Sequence, residues 1–182
     1  MPDFAFDAVA VLLILLSLLA LLRIGVARLE SSIGVLRDGL PVGSWSPRWS
    51  GEACSGDRVT IPRLGAWQVV MFASHGLVQF PTLISAMNDI DSRDSAEVIC
   101  ISPFPRELCE AANQALGLKV PVVCNQPQVY ELFRVRVRPF VFIIGPDGRV
   151  AWQGLVNTGD QLLHMLQMAQ SVQTPARLPV GA

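Results

Sequence analysis

Between Ala8 and Leu22 the chain carries no charged residue, and Leu, Ile, Val and Ala fill nearly every position. Ile24 to Ala27 extends the apolar stretch beyond the single Arg23. A helix rising roughly 1.5 Å per residue needs about this many residues to cross a bilayer core of about 30 Å, so residues 8–27 are expected to contact lipid as one transmembrane helix. Arg23, near the end, reaches the headgroups on its own stem, which costs far less than a charge at the bilayer centre. The segment has neither a basic n-region nor a small-x-small cleavage site, which argues for a retained anchor over a cleaved signal peptide. Asp3 and Asp7 precede it, and Arg23, Arg28 and Arg37 follow. By the positive-inside rule that bias places the rest of the chain in the cytoplasm. Val26, Leu29, Ile33 and Leu36 then recur at spacings of three and four, so the helix is expected to continue with a narrow apolar stripe available to a membrane-complex partner or to the domain itself.

What remains of the 182 residues is enough for one domain of ordinary size. Gly39, Pro41, Gly43, Ser46 and Pro47 make the next stretch turn-rich. The expected divisions are an anchor over 1–28, a juxtamembrane helix and linker over 29–50, a globular domain over 51–172 with its first folded residues near 45, and a disordered tail over 173–182 marked by Pro175 and Pro179. With 14 basic and 15 acidic residues spread along the chain, the net charge of −1 supplies no basic face, which excludes nucleic acid as a partner.

Within the domain, Trp67 to Ala73 and Glu97 to Ser102 are short apolar runs rich in β-branched residues and read as buried strands. Pro81 to Ile90 and Arg106 to Leu116 have helical composition and apolar spacing. The order strand, helix, strand, helix favours parallel pairing by crossover. Arg138-Pro139 then opens the strand Phe140 to Ile144, the turn Gly145-Pro146-Asp147-Gly148 follows, and Arg149 to Gln153 reads as the return strand of a hairpin. A last amphipathic helix runs from about Thr158 to Val172.

This arrangement resembles the thioredoxin-like fold, an α/β architecture with a central mixed sheet flanked by helices. The stretch from Arg138 to Val150 resembles the cis-proline strand and hairpin of membrane-tethered thioredoxin-like proteins related to TlpA and the peroxiredoxins. Gly154-Leu155-Val156-Asn157-Thr158, and the hydrophobic N-terminal helix followed by Gly34-Val35-Leu36-Arg37 and a Pro-Val-Gly turn, are similar to the methylamine-utilization protein MauD. The resemblance implies a single-pass protein of the inner membrane with its soluble domain in the periplasm, against the arginine bias. It also implies a protein client such as a methylamine dehydrogenase subunit, rich in disulfides and assembled outside the cytoplasm. In that family a Cys-x-x-C opens the helix after the first central strand. Here the matching run is Met71 to Pro81, and Leu77 and Phe80 stand where the two cysteines belong.

The exchange reaction requires a first thiol acidified at a helix N-terminus and a second that resolves the mixed disulfide. Leucine and phenylalanine do neither, so dithiol exchange at that site is excluded, and Ser74, His75, Gly76, Leu77 and Phe80 are expected to form a degenerate active-site loop. His75 could move a proton at neutral pH, but no thiol stands beside it, and Ser74-His75 lacks the Gly-x-Ser-x-Gly turn of a hydrolase. Cys54, Cys100, Cys109 and Cys124 match neither a zinc spacing nor Cys-x-x-C, and no metal or cofactor is expected. Cys100, inside a predicted strand, reads as a small buried hydrophobe. Cys109 on a helix and Cys124 at a strand end are expected to be more exposed, with one or two disulfides of unspecified pairing.

Three functions stay open on these residues. One is an accessory factor or chaperone that docks a client by strand addition against the backbone of Arg138 and Pro139. Another is a thiol-disulfide oxidoreductase using a displaced pair, Cys109 with Cys124 or Cys54. The last is a structural subunit of a membrane complex.

Overall fold

The segment Phe140–Ile144 reads Phe-Val-Phe-Ile-Ile, apolar on both sides of a strand, and such a run suits a sheet covered on both faces. The computed structural model describes Ser17 and residues 38–73, 81–93 and 95–173. The chain divides into two compact units, Met1–Asp38 and Gly39–Ala182, and every element below belongs to the second. The expected span over 8–27, apart from Ser17, the juxtamembrane stripe, the loop from Ser74 to Phe80 and the tail after Gln173 lie outside the described residues. Among the described residues no helix is long and apolar enough to cross a membrane.

Strand β1 (Trp49–Glu52) and strand β2 (Arg58–Ile61) form an antiparallel hairpin of their own. The main sheet follows: β3 (Gln68–Phe72), helix α1 (Pro81–Ser92), β4 (Glu97–Ser102), α2 (Arg106–Leu116), β5 (Val122–Cys124), α3 (Pro127–Leu132), β6 (Phe140–Ile144), β7 (Val150–Leu155) and α4 (Gly159–Gln173). Its strand order is β5-β4-β3-β6-β7, with β3, β4 and β5 parallel and β6 antiparallel to both neighbours. The crossover expected from the strand–helix–strand order is therefore present, and the sheet is mixed as the thioredoxin-like reading requires.

Alternate residues of the central strands supply the two cores. Val69, Met71, Val98, Cys100, Val141 and Ile143 face α1 and α4, where Leu83, Met87, Leu162 and Leu166 meet them. Val70, Phe72, Ile99, Ile101, Phe140 and Phe142 face the other way, onto Val129 and Phe133 around α3 and onto Val59 and Ile61 of the hairpin. Phe72, Phe133 and Phe142 stack there with ring centres 5.1 to 5.8 Å apart, the tilted and edge-on geometry that aromatic quadrupoles favour. Gln68, fully buried, ties the hairpin to the sheet. Its Oε1 accepts from the Arg63 N–H at 2.8 Å, and its Nε2 donates to the Thr60 carbonyl and to Glu97 Oε2, both at 2.9 Å. Every polar atom of this buried amide thus finds a partner, which is the condition for burying it.

The second unit starts well before residue 51. Gly43 N–H donates to the Val150 carbonyl at 2.8 Å, Ser46 N–H to the Gly148 carbonyl at 2.9 Å, and Trp45 bridges to Arg149, so part of the expected linker is strapped onto the β6–β7 hairpin. The β1–β2 hairpin and α3 were not expected. Strand β1 alternates half-buried and exposed residues within a Ser- and Gly-rich stretch, and only Val59 and Ile61 of β2 face the core, so neither strand carries enough apolar pattern to stand out from a linker.

Candidate functional site

Parallel strands β3, β4 and β5 all end at the same edge of the layer, and antiparallel β6 begins there, so that edge gathers loops from four strands. The loop holding Ser74, His75, Gly76, Leu77 and Phe80 lies outside the described residues, but both its ends, Ala73 and Pro81, are placed. Ala73 is buried and its N–H donates to the Ile101 carbonyl at 3.0 Å. Because Phe72 pairs with Phe140, Pro139 stands beside Ala73. The Arg138-Pro139 bond is cis, as is Ile61-Pro62, which nothing in the sequence analysis singled out. Val156 N–H donates to the Pro139 carbonyl at 3.4 Å, tying the segment to the far side of the hairpin.

Beneath this edge sits Tyr130, the sole tyrosine of the chain. Its hydroxyl donates to the Ile101 carbonyl at 2.8 Å and lies 3.1 Å from the Ala73 carbonyl, so one side chain of α3 closes the ends of β3 and β4. Burial, and secondarily the neighbouring Cys100, push the phenol above its ordinary value, while Arg138 opposes them, and the group stays a protonated donor. The exposed Arg138 guanidinium lies over the same ring, 5.4 Å from its centre. Sequence reasoning missed Tyr130: in Pro127-Gln128-Val129-Tyr130 no motif marks it.

A second cluster lies toward the β5 edge. Cys54, in the turn after β1, donates its N–H to the Val122 carbonyl at 2.7 Å, which brings the hairpin against β5. Its sulfur is bonded to Cys124 across a sequence separation of 70, with Cα atoms 6.4 Å apart. The Cys109 sulfur belongs to the same cluster, since the three sulfurs all lie within 4.8 Å of one another. Cys109 is unbridged, and its thiol donates to the Phe104 carbonyl at 3.5 Å.

The expectation of an exposed Cys109 is corrected: it is 3 % exposed. Helix α2 is mostly polar, and it turns Cys109 and Leu116, two helical turns apart, toward the sheet. Cys124 is half-buried. Cys100 is buried on β4 as a small hydrophobe, and burial, with Cys109 adding to it, pushes its thiol up to about 12, far from a reactive thiolate. Arg106, the first residue of α2, donates from Nη2 to the Cys54 carbonyl and from Nε to Glu110 at 3.0 Å, which sets a fixed cation beside the disulfide. An open cleft of about 410 Å³ lies over it, lined by Glu52, Cys54, Arg106, Glu107 and Cys124.

A mixed sheet of this order with helices on both faces defines a thioredoxin-like α/β fold. Among the solved structures it is similar to, StoA from Bacillus subtilis shares 15% identity at a TM-score of 0.57, with 66% of this chain and 96% of that one covered. The thioredoxin domain of a thiol-disulfide oxidoreductase from Bacteroides vulgatus shares 20% at 0.58, covering 70% and 96%. A thioredoxin-family thiol:disulfide interchange protein from Chlorobium tepidum shares 18% at 0.59, covering 72% and 98%. At such identities the likeness is one of fold. No protein-family model and no curated protein matches the chain.

Proposed function

We propose that this chain is a MauD-like accessory factor, tethered to the inner membrane through residues 8–27, whose periplasmic thioredoxin-like domain docks an extended segment of a disulfide-rich client without dithiol exchange at the usual site. One observation carries the reading. The Phe72–Phe140 pairing sets Arg138 and Pro139 beside the end of β3, and the sequence that follows that strand carries Leu77 and Phe80 where the family it resembles has its thiols. On this reading the backbone at Arg138 and Pro139 is what a client strand pairs with, and main-chain strand addition needs no thiol.

Two substitutions at one position test it. Arg138→Pro removes the N–H that a docked strand would use, and Arg138→Ala keeps it. With the full chain in detergent and a fluorescent pool of cysteine-free decapeptides as probe, Arg138→Pro should weaken binding about tenfold, the loss of roughly one hydrogen bond. Arg138→Ala should stay within about threefold of the parent. Equal binding by both variants, or none by the parent, would sink the proposal.

A further inference from the structure

Three sulfurs from three separate segments, the turn after β1, helix α2 and the end of β5, converge at one place, and they do so at the edge of the sheet where Ala73 and Pro139 also lie. We infer that Cys54, Cys109 and Cys124 form a thiol–disulfide exchange site displaced from the start of α1 to the β5 end of the sheet, taking aliphatic thiols carried by a protein or by a small peptide of the glutathione class. The inference does not depend on docking at Arg138.

The parts have distinct exposures. Cys124 is the half-buried member and lines the cleft, so it is the sulfur an incoming thiolate meets. Attack on Cys124 Sγ forms a substrate–Cys124 disulfide and breaks the Cys54–Cys124 bond. Cys54 leaves as a thiolate at a site where Arg106 holds a cation on its own carbonyl, and it takes its proton from water in the open cleft. A second substrate thiolate attacks the substrate sulfur of the mixed disulfide and releases Cys124. In sum, two substrate thiols become one disulfide and the protein disulfide becomes two thiols. Run backwards, the reduced pair reduces a substrate disulfide.

Cys109 gives the site a resolving thiol. It is too buried to meet substrate first, yet its sulfur is within 4.8 Å of both others. Its proton passes to water as its sulfur attacks Cys124 Sγ of a stalled mixed disulfide; the substrate leaves as a thiolate, takes a proton from water, and a Cys109–Cys124 bond remains. Neighbouring strands are about 4.8 Å apart, so the three steps from β6 to β5 span roughly 14 Å, which an extended segment of about five residues covers. One client strand could therefore lie along the sheet edge from Pro139 to Cys124.

The test uses the full chain in detergent under native conditions, with reduced glutathione in one arm and a reduced, unfolded cysteine-containing protein in the other, and mass-spectrometric mapping of adducts. The expected adduct is at Cys124. It should accumulate about tenfold more in Cys109→Ser than in the parent, because the resolving thiol is gone. An adduct in only one arm identifies the thiol source and supports the site. If the parent forms no adduct in either arm until it is unfolded, the bridge is structural and the inference fails. Equal adduct levels in parent and Cys109→Ser would overturn the role of Cys109. Should Cys109→Ser misfold, Cys109→Ala and the parent's own adduct mapping still decide. The glutathione arm involves no docked strand, so its outcome is read separately from that of client docking.

Discussion

Tyr130 donates its hydroxyl to the Ile101 carbonyl, and in doing so one side chain from α3 latches the ends of β3 and β4. The bond is 2.8 Å long, and its acceptor already receives the Ala73 N–H. The expected outcome of Tyr130→Phe is a loss of about 1–2 kcal/mol, the range for removing a buried donor. The ring packing on Phe72, with centres 5.0 Å apart, would be kept. Urea unfolding followed by tryptophan fluorescence reads it. Tyr130→Phe as stable as the parent would mean the latch contributes nothing.

Cys100 makes the fold sensitive to alkali. Below its ordinary value of 9.0 the thiol is protonated in folded and unfolded chains alike. Above that pH the unfolded chain ionises while the folded thiol holds its proton up to about 12, so the stability present below 9 is lost as pH rises through that window. The slope should approach about 1.4 kcal/mol per pH unit. Tyr130 adds a loss of the same sign only above its ordinary value of 10.0. Cys100→Val should flatten the stability curve between pH 9 and 10 and leave the fall above 10 in place.

Gly159 opens α4 where it crosses α1. A Cβ at that position would run into the Thr82 carbonyl oxygen and touch Ala86. Glycine to alanine stabilises an unobstructed helix by up to about 1 kcal/mol. Here Gly159→Ala should instead destabilise by about 1–3 kcal/mol, as overpacking does. Thermal unfolding gives the sign directly, and a rise in Tm would show that α4 shifts away without loss.

Membrane attachment and sidedness are tested together. The full chain should resist extraction by carbonate and dissolve only in detergent, and a chain lacking residues 1–28 should need neither. Protease added outside spheroplasts should digest the domain if it is periplasmic. Protection of the domain would instead follow the arginines after the span.

Local rules were enough for much of the fold. The runs Glu97–Ser102 and Phe140–Ile144, the Pro-Asp-Gly turn, and helix Arg106–Leu116 are legible because burial on two faces, turn chemistry and helical spacing each leave a short-range pattern. That positions 77 and 80 carry leucine and phenylalanine, neither of which can exchange disulfides, is likewise a matter of residue type alone. The β1–β2 hairpin and α3 were hidden because elements this short bury too few residues to set a period.

The meeting of Cys54, Cys109 and Cys124, the inward turn of Cys109 and the latch of Tyr130 were decided only by the tertiary structure. Each depends on strand order, the placing of β5 beside β4 and of the hairpin against it. Periodicity reports which face of an element is buried, and it carries no information on which distant element buries it. The sequence by itself therefore determined the longer elements and the absence of thiols at positions 77 and 80. Packing decided which of the remaining sulfurs share a site.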